Sequence, residues 1–82
     1  MITTKSPVSE LLSFFSLCTR ARVMFQHDQF EASLRFIEEA SERLGHLREA
    51  HPASSEYIVA LKAYNIVRRE YELALPKEGA VL

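Results

Sequence analysis

The prolines of this chain stand where helices begin and end. Pro7 follows Ser6, Pro52 follows His51, and Pro76 follows a long stretch of helical apolar spacing. The two glycines are Gly45 and Gly79, so only one lies between the first and last proline. Proline inside a helix removes a backbone bond and clashes with the preceding turn, while tight hairpins call for glycine or Asn-Gly pairs. A chain punctuated in this way has long uninterrupted segments and little material for hairpins. It is expected to be all-α.

The apolar spacing divides it into three helices, at about 7–26, 29–50 and 55–75, with a loose tail over 76–82. Ser6-Pro7 is a cap followed by a proline at the first helical position, where its missing N–H costs nothing. Leu11, Phe14, Phe15, Cys18, Ala21 and Phe25 form the main stripe of the first helix, with Leu17 and Met24 widening one flank. Arg22 falls inside the apolar sector and is expected to snorkel or to form a salt bridge. Asp28, with Glu31 three residues on, reads as a capping pair opening the second helix. That helix has one stripe, Phe30, Ile37 and Leu44 with Ser33, Ala40 and Leu47 between them. Its back is polar, and Glu31–Arg35 and Glu39–Arg43 there are i,i+4 pairs worth only ~0.2–0.5 kcal/mol each. Gly45 either ends this helix in a left-handed cap or lies within it; Leu47 keeps the phase, which favours continuation to about Ala50. Ser54 or Ser55 caps the third helix.

Eighty-two residues, 48% of them apolar, make one domain over 1–82. A core of this size leaves only ~3–5 kcal/mol of net stability, to which association would add. The expected architecture is a three-helix bundle, or a helical hairpin with an additional N-terminal helix, associating through the first and third helices.

That expectation comes from a surplus of apolar surface. Tyr57, Tyr64 and Tyr71 recur every seven residues and, with Ala60 and Val67, form one seam of the third helix. Val59, Ile66 and Leu73 form a second row pointing elsewhere. A helix in a lone bundle shows the core one stripe. The second helix obeys this, whereas the first and third exceed it. A contiguous apolar row marks a contact site more often than scattered residues do, and tyrosine suits an interface rim because its ring is buried while its hydroxyl stays wet. The candidate interface is therefore Leu17, Met24, Tyr57, Val59, Tyr64, Ile66, Tyr71 and Leu73, facing another protein or a second copy in a homodimer. Packing at the edge of the chain's own core is the competing reading for the tyrosines.

Signals for chemistry are weak. The net charge is −1, so no overall field draws the chain to nucleic acid or an anionic membrane. Lys62, Arg68 and Arg69 form a possible basic patch, which sustains a nucleic-acid-binding regulator as the alternative function. His46 and His51 are five apart, a spacing that does not place both on one helix face, so no metal and no cofactor is expected. Cys18, the single cysteine, lies in an apolar stripe as a small hydrophobe, without the setting of an activated nucleophile. Cysteine usage and an N-terminus without a signal-peptide pattern give a cytoplasmic expectation, and no apolar run is long enough to span a membrane. In helix count and length alone the chain resembles small bacterial or phage helical chaperones and inhibitors. The expectation is a non-enzymatic adaptor, chaperone or inhibitor that binds through an apolar helix face.

Overall fold

The computed structural model describes residues 6–76, and these form three helices: α1 (Pro7–Gln26), α2 (Phe30–Ala50) and α3 (Ser55–Ala74). The tail expected over 76–82 lies, beyond Pro76, outside the described residues. The three-helix architecture expected from the apolar spacing is the one observed.

The helix ends follow local chemistry. The Ser6 hydroxyl accepts a bond from the Ser9 amide at 3.2 Å, with Pro7 opening α1. The Ser54 hydroxyl accepts from the Tyr57 amide at 3.1 Å and donates to the His51 carbonyl at 2.8 Å, so one side chain both closes the α2–α3 turn and caps α3. Leu75 is extended, the conformation that a following proline imposes.

The α1–α2 turn differs from expectation. Asp28 does not cap α2; Gln29 occupies the cap position and makes no side-chain capping bond. Asp28 instead takes the left-handed conformation, with φ 63°. Its amide bonds the Phe25 carbonyl at 3.2 Å, and the Gln29 amide bonds the Met24 carbonyl at 2.8 Å. This is the Schellman arrangement, in which two orphan carbonyls at a helix C-terminus are satisfied. Aspartate is among the few residues other than glycine that tolerate the left-handed region, and here that tolerance closes α1.

Gly45 lies within α2, which runs unbroken to Ala50. A Cβ at Gly45 would meet nothing within 4 Å, so neither close packing nor a left-handed backbone demands glycine there.

The core is built from all three helices. Phe14, Leu17, Cys18 and Ala21 of α1 pack with Ile37, Ala40 and Leu47 of α2 and with Ala60 and Val67 of α3. Phe14 and Leu47 are completely buried. So is Ser33, which satisfies its hydroxyl by donating to the Ala21 carbonyl at 2.8 Å, a direct tie between α1 and α2. Helix α1 is the shared partner: it packs against both neighbours, while α2 and α3 touch each other least.

That central position accounts for the apolar width of α1. A helix serving two neighbours needs a broader stripe than a helix serving one. Leu17 is buried in the core and Met24 is half-buried, so Leu17 drops out of the expected interface. Helix α2 is also less simply amphipathic than its spacing suggests. Phe36 packs against the core from its edge, and Leu34 is 41% exposed. Among the described residues the ion pairs are Arg22–Glu70 and Arg68–Glu72; the i,i+4 pairs expected on α2 do not form.

Candidate protein-binding face

The tyrosines separate from the second stripe. Tyr57, Tyr64 and Tyr71 are all half-buried and packed against the core. Tyr71 meets Phe25 edge-on at 6.2 Å between ring centroids and Phe30 at 6.3 Å, which seats the end of α3 on the α1–α2 turn. Aromatic pairs in this geometry stabilise by ~0.5–1.5 kcal/mol beyond their burial. The seven-residue spacing thus marks the border of the chain's own core, and core-edge packing is the reading the structure favours for these rings.

The row Val59, Ile66 and Leu73 lies outside that core, at 45%, 53% and 67% exposure. Its position relative to α1 follows from Glu70, four residues after Ile66 and three before Leu73, hence on the same side of the helix. Glu70 accepts a bond from Arg22 Nε at 2.8 Å, so this side of α3 borders α1. On α1, Arg22, Phe15 and Val8 are seven apart and share a line, with Leu12 and Val23 on the adjacent line. Val8, Leu12 and Val23 are all exposed, Leu12 at 65%. The two parallel helices therefore present one two-helix apolar face on the side away from α2, crossed by the Arg22–Glu70 pair. Val8, Leu12 and Val23 are the residues that sequence reading missed. The signal was present in the eleven-residue spacing of Leu12 and Val23, three helical turns, but the broad apolar arc of α1 obscured it.

The expected basic patch divides into two. Arg68 stands on the side of α3 that faces α2; within its own helix its Nη1 donates to the Tyr64 hydroxyl at 3.2 Å and its Nε lies 3.7 Å from Glu72. The Tyr64 hydrogen bond is the main cause raising the Arg68 pKa above its ordinary value, with Glu72 adding to it. Lys62 and Arg69, seven residues apart, line the solvent edge of the Val59/Ile66/Leu73 row and are fully outside the core. The three cations do not form one surface.

A concave feature lies between α2 and α3. Leu34, Ile37, Glu38, Ser41, Glu42, Tyr64 and Arg68 line an open groove of about 440 Å³. Its walls carry two acids and one arginine already engaged with Glu72.

Burial pushes the Cys18 thiol up to about 11, with Arg22 pulling weakly the other way. A thiol held protonated in this way is a packing group at neutral pH. His27 and His46 are exposed and His51 is half-buried at the end of α2. Among the described residues no three His, Cys, Asp or Glu side chains come together as a metal-binding group. No helix of the described residues is long and apolar enough to cross a membrane. Compared with protein-family models, with curated proteins and with solved structures, the chain matches none of them.

Proposed function

We propose that this chain is a non-enzymatic protein-interaction module that works by burying the α1/α3 face against another protein. The observation that carries the reading is the Val59/Ile66/Leu73 row, standing beside Val8, Leu12 and Val23 with about half of each side chain exposed. Exposed apolar residues scattered singly need no explanation, whereas a contiguous apolar face marks an interaction site. A partner that binds only the folded form would also add stability to a domain whose core supplies little. Adaptor, chaperone and inhibitor are the roles such a surface serves. A nucleic-acid-binding regulator is the weaker alternative, because Arg68 is engaged with Tyr64 and Glu72 and leaves Lys62 and Arg69 as a pair.

The test is the double variant Ile66→Asp/Leu73→Asp. Both residues are exposed, so helicity by circular dichroism is expected to stay unchanged. Capture of partner proteins from the native host is expected to be lost. Association that survives both substitutions would remove this face as the binding surface. Retention on DNA at low salt, falling steeply as salt rises, would support the alternative.

A further inference from the structure

We infer that the α1/α3 face receives an amphipathic helix of another protein whose flank is acidic, with carboxylates two turns apart opposite Lys62 and Arg69. This rests on the reading of the face as a binding surface and adds the chemistry of its occupant. The shape comes first. Two parallel helices side by side leave a groove along their length, and a third helix packs into such a groove at ~8–10 Å between axes. The apolar residues run from Val8 to Val23 on α1 and from Val59 to Leu73 on α3, about four turns on each. A helix of the same length fills that groove.

The charges choose the occupant. Of the carboxylates flanking the apolar row, Glu70 is already held by Arg22 at 2.8 Å, and Glu56 is half-buried in the first turn of α3. Lys62 and Arg69 border the row on its open side, and among the described residues neither has a carboxylate within ion-pair reach. They stand seven residues apart, ~10 Å along the helix axis, so carboxylates separated by two turns on an incoming helix meet both. A second copy of this chain would present the same two cations and no free carboxylate on the matching face, so like charges oppose self-association there. Nucleic acid would meet the cations but would leave the apolar row exposed.

The experiment uses three labelled synthetic helical peptides with one leucine ridge and flanks of glutamate, glutamine or lysine. Binding to the full chain is followed by fluorescence anisotropy at low and high salt. The glutamate peptide is expected to bind about tenfold more tightly than the lysine peptide at low salt, since two exposed ion pairs replace two repulsions, with the gap closing at high salt. Lys62→Glu/Arg69→Glu is expected to invert the order, and Ile66→Asp to abolish binding of all three. Equal affinities that Ile66→Asp still abolishes would overturn the acidic partner while leaving the face in place. Binding indifferent to Ile66→Asp would overturn both. Failure of the glutamate peptide to bind, or a dimer dissolved by Ile66→Asp, would overturn the inference.

Discussion

Arg22 donates through Nε to Oε1 of Glu70 at 2.8 Å, joining α1 to α3 between residues 48 apart in the chain. The pair stands beside the exposed apolar row and fixes which side of α3 borders α1. Both side chains are nearly half exposed, at 42% and 45%, so water and salt screen the attraction. Glu70→Gln is expected to cost less than ~1 kcal/mol at low salt and still less at high salt. Urea unfolding at two salt concentrations measures this. A loss of several kcal/mol, insensitive to salt, would show that the pair acts as a buried one.

Gly45 occupies an ordinary helical position with open space where a Cβ would stand. Alanine there gains helix propensity without a clash. Gly45→Ala is expected to stabilise the fold by about 0.5–1 kcal/mol, raising the melting temperature by roughly 2–8 °C for a domain of this size. A lower melting temperature would contradict the open space seen around Gly45.

Asp28 carries the opposite lesson, since its backbone lies at φ 63°. Glycine reaches this region without the Cβ penalty. Asp28→Gly is expected to stabilise by up to ~1 kcal/mol, and Asp28→Val to destabilise by ~1–3 kcal/mol because a β-branched residue resists the left-handed region. Had Asp28 been the cap of α2, both glycine and valine would weaken the fold. Chemical denaturation of the two variants therefore separates the assignments.

The Cys18 thiol gives a pH dependence of definite sign. Its ordinary value is 9.0, and burial raises it to about 11 in the folded chain. Above pH 9 the unfolded state releases this proton while the folded state keeps it. The unfolded state then binds fewer protons, and stability falls as pH rises. The contribution is fully present below about pH 9 and is lost on the way to about pH 11. Cys18→Ala is expected to show a shallower loss over that window than the parent chain, measured as the difference between their urea midpoints. Parallel pH profiles would mean that the thiol titrates near its ordinary value.

Much of the fold was legible in the sequence because helix boundaries are set locally. Ser6-Pro7, Ser54 and Pro76 act within a turn of themselves, and the apolar periods of Phe14–Cys18–Ala21 and of Ile37–Ala40–Leu47 identify the buried sides. Asp28 shows where local reading fails. One aspartate between two helices satisfies the rules for an N-cap and for a left-handed C-terminal residue alike, and only the path of the turn decides between them.

The candidate face was only half legible. Val59, Ile66 and Leu73 stood out because α3 has a separate seam to bury. Leu17 has the spacing of an interface residue yet lies in the core, while Val8, Leu12 and Val23, hidden in the broad apolar arc of α1, are exposed. Three helices, their ends at serine and proline, and an apolar surface wider than a simple bundle requires are written in local residue order. How that surface is divided between core and solvent depends on the packing of the three helices. Helix periodicity states which residues share a side, but not how many neighbours a helix will have. With α1 packed between α2 and α3, most of its arc became core, and six of the nine large apolar residues left exposed among the described residues stand on the face where α1 and α3 lie side by side, with Leu34, Ile58 and Leu61 elsewhere.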